Sequence, residues 1–581
     1  TGERGGLDSD TKELFSYSGI GHILAISGLH ISFIGMGLFS LLRRRFRFPV
    51  SFILSGAVVC AFCVMSGASV SAVRAVIMFL LRIIAEAAGK KYDILSALGL
   101  SAAVLLIAEP YYIKNTGFIF SFTAVLSMAL ISENVIRFIY PSPWECGENE
   151  LKYPGPVRRR LLSGLAVFLL TFPVVVSTYY SFPLYGAFLN ILVIPLCSYI
   201  LTSAALGGIT GILSMIPGRF FIAAGVFSLD LIEILSALTL NLPFGNIITG
   251  KPRGFRIILY YGLLAALLLL MIIFRKQRRL NLTQADKKIK PGRRAHSGSR
   301  MLKTLALCLF TFILLLIITA GDRPENLTIS FLDVGQGGSA LIQSPSGNNI
   351  MIDCGSTSSN ELYRYTIEST LMYRGIDSID YMLITHPDMD HISGVLSMLE
   401  GDKRIKIKRI LIYDFGENEN FLEIVSRAEA SGCELITLSS DVTYRDRYME
   451  ISCIYPGNES EIKDVNELWA VFLLQYESFS ALFTGDIDSS VEARLLAQEG
   501  EFALKDTDVL AVPHHGSKTS SSSEFLERVS PEVSVISAGV NNIYGHPHKE
   551  VLERLEQAGS AVYNTADFGE IDITVKNDGS Y

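Results

Sequence analysis

The first half of the chain is built from long apolar runs. Crossing the hydrocarbon core as a helix takes roughly 20 apolar residues. Runs of that kind occupy residues 22–42, 51–66, 70–88, 92–109, 113–132, 161–178, 182–216, 219–241, 256–274 and 302–320. Segment 182–216 is long and is interrupted or bounded by Asn190, Pro195, Gly207, Gly208, Gly211 and Pro217. It reads as one broken crossing, since irregular backbone at membrane depth is tolerated where protein or a watery cavity satisfies it. From Asn326 the texture changes to short β-rich runs separated by Gly, Asp and Asn. LTISFLDVG, SALIQSP, NNIMIDCG, IDYMLITH, RILIY, WAVFLLQY, SALFTGD, DVLAVPHH and VSVISAG read as strands, with helical stretches between several of them. The pattern predicts a polytopic α-helical membrane domain followed by a soluble α/β domain.

Composition agrees with this division. A mean hydropathy of +0.37 excludes an ordinary soluble protein. The net charge of −7 hides an asymmetry: residues 1–324 carry 32 Lys plus Arg and 15 Asp plus Glu, whereas residues 325–581 carry 18 and 42. Basic clusters at Arg43-Arg44-Arg45-Phe46-Arg47, Lys90-Lys91, Arg158-Arg159-Arg160 and from Arg275 to Arg300 are placed in the cytoplasm by the preference of inner loops for Lys and Arg. The chain then divides into a membrane domain over 1–274, a basic cytoplasmic linker over 275–301 that anchors topology, a transmembrane helix over 302–320, and an extracytoplasmic domain over 325–581. The first residue is Thr1 and no signal peptide is visible, so the sequence reads as a processed chain or a fragment.

Polar residues at membrane depth are His30, Arg74, Arg82, Glu86, Asn190, Asp230 and Glu233. Such groups are costly and face a partner or a wet cavity. Arg82 and Glu86 have the spacing of an ion pair on one helix face. His30, Arg74 and Asn190 are candidates for lining a channel. Cys60 and Cys63 read as small buried side chains. Cys354, Cys433 and Cys453 are available for a disulfide if their domain is extracytoplasmic.

The soluble half holds six of the nine histidines, all in three clusters at strand ends: His386 with His391, His514 with His515, and His546 with His548. THPDMDHISG gathers His386, Asp388, Asp390 and His391 directly after an apolar run, and SALFTGD ends in Asp486. Imidazole and carboxylate are deprotonated donors suited to divalent metals. Two adjacent ions need a shared anion, a role that suits Asp486. Solvated turn histidines are the bland alternative, and three clusters with two strand-terminal acids weigh against it.

HxDxDH, TGD and PHHGS in this order resemble the metallo-β-lactamase fold, an αββα sandwich, in the variant attached to ComEC-type competence DNA channels. HILAISGLHIS (22–32), SGASVSAVRA (66–75) and LDVGQGGSALI (332–342) resemble further signatures of that family. The resemblance implies His386 and Asp388 as ligands of one metal, Asp390 and His391 of the other, and Asp486 as the bridge. One of His514 and His515 completes the second site and the other is free to contact phosphate. His546 is a further ligand or substrate contact, and His548 supports from behind. Asp333 and Asp353 orient the motif loops. Asp390, Asp486, His515 and Lys518 are the expected catalytic set, with Ser517, Lys518 and Thr519 holding phosphate oxygens. A flexible polar loop is the alternative for that last stretch.

Two departures stand out. Asp388 occupies a position where the hydrolase pattern has His, which favours Mn2+ over Zn2+. Gly338 stands where the GQG motif is commonly followed by Asp. No His lies between His391 and Asp486 to act as a middle ligand, and Asn466 is only a weak substitute. The family commonly carries an OB-like domain near its N-terminus, and no such β-rich segment is visible in this sequence.

The resemblance implies a channel for single-stranded DNA in the bacterial cytoplasmic membrane. Its two-metal phosphodiesterase domain would degrade one strand of arriving duplex, with water acidified by the metals as nucleophile. A DNA receptor, a cytoplasmic translocation motor and membrane lipid are the implied partners. The acidic outer domain opposes a polyanion, unless metals and the strip Lys403-Arg404-Ile405-Lys406-Ile407-Lys408-Arg409 offset it. A membrane-tethered hydrolase of a cell-wall phosphodiester and a small-solute transporter with a degenerate hydrolase domain are the rival readings.

Overall fold

The computed structural model describes residues 9–21, 28–140, 154–285, 297–321, 324–359, 361–400, 404–438, 443–456, 468–497, 504 and 506–581. The chain forms two compact units, Thr1–Ala320 and Gly321–Tyr581.

The first unit is helical. Among the described residues, seven helices are long and apolar enough to cross a membrane: Phe48–Met65, Thr116–Ile139, Pro156–Tyr179, Gly186–Leu213, Met215–Asn241, Gly254–Gln277 and Met301–Thr319. His30–Leu42 and Ile94–Ala108 are apolar but shorter. Residues 22–27, the start of HILAISGLHIS, lie outside the described residues, as do 286–296 of the linker. Two side-chain caps set one boundary. Glu109 accepts from Tyr111 N and Asn115 from Phe118 N, so a short 3-10 turn over Pro110–Lys114 separates two helices.

The expected break within 182–216 is absent. Gly186–Leu213 is one continuous helix that passes through Pro195. Its glycines serve packing against the next helix instead. A Cβ on Gly207 would lie 2.7 Å from Ile222, and one on Gly218 would lie 2.6 Å from the Gly211 backbone. Small residues let membrane helices approach this closely. Arg82 and Glu86 are both exposed and form no ion pair among the described residues. Cys60 is exposed rather than buried, and Cys354, Cys433 and Cys453 are buried and form no disulfide among the described residues.

The second unit is a sandwich of two seven-stranded sheets. The first sheet runs in the order Glu434–Thr437, Arg409–Ile412, Tyr381–Leu383, Asn349–Cys354, Ser339–Gln343, Leu327–Phe331, Ile571–Val575. The second runs Thr443–Arg445, Met449–Tyr455, Val471–Tyr476, Phe479–Phe483, Val509–Ala511, Val533–Ile536, Ala561–Asn564. Each sheet is parallel over one half and antiparallel over the other.

Both faces of the central strands are buried, so these strands read as continuous apolar runs. Side chains alternate across each strand. In the second sheet Val471, Leu473, Leu482 and Leu510 join Val491, Leu495, Phe525, Val529, Val551 and Leu555 from the outer helices. On its other face Phe483 stacks on Phe331 of the first sheet at 5.9 Å. This αββα arrangement is the expected fold class. Sequence reading missed the strands Glu434–Thr437, Thr443–Arg445, Met449–Tyr455, Ala561–Asn564 and Ile571–Val575. The loops that follow Leu383, Phe483, Ala511 and Ile536 carry the clustered histidines and acids described next, and Asp353 lies at the end of the strand Asn349–Cys354.

Candidate metal centre

The strand Tyr381–Leu383 ends in Thr385 and His386, and the helix Met389–Met398 begins three residues later. Asp390 and His391 therefore sit in that helix's first turn. His391, Ile392 and Val395 face inward, which docks the helix on Asn349–Cys354. Asn420 donates to Pro387 O at 2.8 Å and pins the intervening loop. Asp486 follows the strand Phe479–Phe483 through Gly485, whose φ of 55° and close approach to Thr385 disfavour any side chain. His514 and His515 both adopt left-handed backbone angles, with φ of 51° and 55°. Such strain persists only where the surroundings over-determine it, and it clusters at functional sites.

Two groups of ligand atoms result. Asp390, His391, Asp486 and His515 form one, and His386, Asp388 and Asp390 the other, with the atoms of each group within 4.8 Å of one another. His391 Nε2 lies 3.1 Å from Asp486 Oδ1, and His515 Nε2 lies 3.6 Å from both Asp486 Oδ1 and Asp390 Oδ2. His386 Nε2 lies 3.7 Å from Asp388 Oδ2. Asp390 belongs to both groups, and Asp486, the expected shared anion, belongs to the first of them. Asp390 occupies the first turn of the helix Met389–Met398.

The imidazoles are held from behind. His391 Nδ1 lies 2.7 Å from Asp353 Oδ2, and His515 Nδ1 lies 2.8 Å from Ser537 O. His386 Nδ1 lies 2.9 Å from Thr385 Oγ1, whose own proton goes to Asp353 Oδ2 at 2.7 Å. All three Nδ1 atoms face acceptors, so each carries a proton and turns its Nε2 into the site. The three Nε2 atoms are buried and make no hydrogen bond. Buried polar atoms without partners are rare. Imidazoles fixed through one nitrogen with the other free match the usual environment of a metal ligand, so the residues present fit divalent ions.

Burial opposes protonation of His391, but Asp486 and Asp353 outweigh it and hold that imidazole well above its ordinary value, so a metal there would displace a proton. Burial, followed by the neighbouring His391, pushes the His386 pKa well below its ordinary value. Burial opposes ionisation of Asp486, but His515 and His391 outweigh it and hold that carboxyl well below the usual range. Burial and the adjacent Asp390 raise Asp388.

The other expected site residues lie around this centre. His514 is outside both groups; its Nε2 is 3.9 Å from Asp486 Oδ2. His546 is also outside them. Its ring is 6.3 Å from His515, its Nδ1 is 3.4 Å from Gln336 Nε2, and burial among the other histidines lowers it to about 4. His548 accepts from Lys518 N at 3.3 Å. Lys518 and Thr519 are exposed. Ser517 is buried and its hydroxyl is 3.0 Å from Thr519 Oγ1, so it holds the loop rather than facing solvent. Asp353 orients His391 and Thr385, whereas Asp333 is exposed and caps its own turn at Gly335 N. A Cβ on Gly338 would lie 3.0 Å from His391.

Sequence reading missed Trp469, whose ring centroid is 4.5 Å from His386. It also missed Glu492, buried beneath the loop and accepting from Ser521 N and Ser522 N. Asn466 and Lys403 lie outside the described residues. Of the channel candidates, Arg74 is buried and donates to Ser121 O at 2.9 Å, while its Nε has no partner. Asn190 Oδ1 is likewise buried without a partner. His30 is half-buried on the helix Gly28–Leu42.

Fold and centre together define a multi-pass membrane protein that carries a metal-binding α/β sandwich. The competence-protein family model matches residues 1–274 and the metallo-beta-lactamase superfamily model matches residues 332–418, the pairing expected of a ComEC-type chain. ComE operon protein 3 of Bacillus subtilis is 25% identical over 99% of this chain and 70% of its own length. Recombination protein 2 of Haemophilus influenzae is 26% identical over 99% of this chain and 71% of its own. The metallo-beta-lactamase fold protein YhfI from Bacillus subtilis aligns with 41% of this chain and 95% of its own, at 12% identity and a TM-score of 0.28.

Proposed function

We propose that the chain is a channel for DNA uptake in natural transformation, and that its second unit is an extracytoplasmic two-metal phosphodiesterase that degrades one strand of the arriving duplex. The observation that carries the enzymatic part is the set of three buried Nε2 atoms, each fixed through Nδ1 and free on the face shared with Asp390 and Asp486. The competence-family membrane unit and relatives such as the competence protein ComA of Neisseria gonorrhoeae support the uptake part.

When bound, a pair of divalent ions supplies Lewis acidity toward a phosphodiester oxygen and acidifies a water. The chain's own part is to hold the ligands still. Asp353 and Ser537 O fix His391 and His515, and Thr385 passes the same constraint to His386. Asp388, Asp390 and Asp486 would hold two divalent ions, and those ions would offset the carboxylate charge where a phosphate would bind. This answers the acidity of the unit locally. Within the strip 403–409, Lys408 pairs with Asp380 at 2.7 Å and Arg409 with Glu434 at 2.8 Å, so those two cations are already offset. The rich oxygen donor set favours Mn2+ over Zn2+.

The orientation has its own test. A reporter fused at about residue 290, within the basic segment, is expected to signal cytoplasm, and one fused just after residue 325 to signal the exterior. A cytoplasmic signal from the second fusion contradicts trimming of DNA before entry.

A further inference from the structure

The loop between the strand Val533–Ile536 and His546 carries three large apolar side chains into solvent: Ile543 is 92% exposed, Val540 70% and Tyr544 52%. The loop is closed by its own hydrogen bonds. Asn542 donates through Nδ2 to Gly539 O at 2.9 Å and to His546 O at 2.6 Å, and accepts from His546 N at 2.9 Å. Its base is tied to the other sheet, where Gly539 N donates to Gln336 Oε1. These bonds hold the apolar residues outward, where they gain nothing by packing within the chain.

The loop is continuous with the metal centre. Tyr544 stacks on His546 at 5.7 Å with the rings 25° apart, and the His546 ring lies 5.8 Å from His514 and 6.3 Å from His515. A row of flat rings therefore leads from solvent to the ligand group. A phosphodiester held at that centre would bring its own flat apolar parts, the nucleobases, to the same place.

Resting on the function proposed above, we infer that Tyr544 and Ile543 form a stacking lip for unpaired nucleobases. The lip selects a single or frayed DNA strand whose phosphate lies at the metals. Stacking of a base on an aromatic side chain tolerates any sequence, as an uptake nuclease requires.

The test uses the purified full chain with Mn2+ and three substrates: single-stranded DNA, duplex DNA, and a bis-aryl phosphodiester too small to reach beyond the metals. The readout is the ratio of kcat/KM for single-stranded DNA to that for the small diester. Tyr544→Ala is expected to lower this ratio by about tenfold, mainly through KM, and Ile543→Ser by a smaller factor. Tyr544→Trp should restore it. An unchanged ratio in both alanine and serine variants, with DNA still cleaved, overturns the lip and leaves the nuclease reading intact. Turnover of the small diester without any cleavage of DNA by the unsubstituted chain overturns the nuclease reading and the lip with it. A Tyr544→Ala effect seen in lipid nanodiscs but absent in detergent places the loop in lipid and also overturns the inference.

Discussion

Asp390→Asn is expected to empty both ligand groups and to lower phosphodiester cleavage by about 100-fold or more, the scale on which strong electrostatic stabilisation is lost. Asp390 is the only residue that belongs to both groups among the described residues. The substitution keeps the size and hydrogen-bonding ability of the side chain and deletes the charge. Asp486→Asn is expected to cost as much in rate but to spare part of the metal, because Asp486 serves one group with His391 and His515 while His386 and Asp388 remain. Elemental analysis of the purified chains separates the two variants. Folding should survive both, since the strands around the centre bury their own apolar faces. Equal metal content in Asp390→Asn and the unsubstituted chain would remove Asp390 from the shared position.

Arg74→Ala is expected to lower transformation by about 10- to 100-fold while leaving cleavage by the second unit unchanged. That range corresponds to about 1.5–3 kcal/mol for a hydrogen bond to a charged group. Arg74 lies in Val70–Ala87 and reaches Ser121 O through Nη1, beside the Phe122 ring at 5.8 Å. One bond to a carbonyl leaves most of the guanidinium's donor capacity unused. A buried cation held in this way would meet the phosphates of DNA in the proposed channel. Arg74→Lys keeps the charge and should retain more uptake than Arg74→Ala at equal protein abundance. Equal loss in both variants would assign Arg74 to packing against the helix Thr116–Ser127.

Much of this architecture was legible from the chain. Among the described residues, seven of the ten apolar runs fall on helices long and apolar enough to cross a membrane, and two of the three histidine clusters contribute to the ligand groups. What the sequence did not carry was pairing at a distance. Ser330 and Asp572 are joined by a side-chain hydrogen bond, and nothing local says that Ile571–Val575 returns to the edge beside Leu327–Phe331. Asp353 orients His391 across a shorter gap, because the strand Asn349–Cys354 and the helix Met389–Met398 pack together only in the folded sheet. The glycines of Gly186–Leu213 illustrate the opposite error. Read alone they mark a break, but against Gly218 and Ile222 they are points of close helix contact. The shared role of Asp390 was hidden for a related reason. Spacing within THPDMDHISG does not say which carboxylate belongs to both groups.

The most direct test of the two-metal phosphodiesterase is cleavage of a duplex whose strands carry different end labels, by the purified full chain with Mn2+ or with a chelator. The reading requires loss of label from at least one strand with Mn2+, protection of both strands by the chelator, and about 1% or less of the rate in Asp390→Asn. Two intact strands in the presence of a chain that has bound its metal would contradict it.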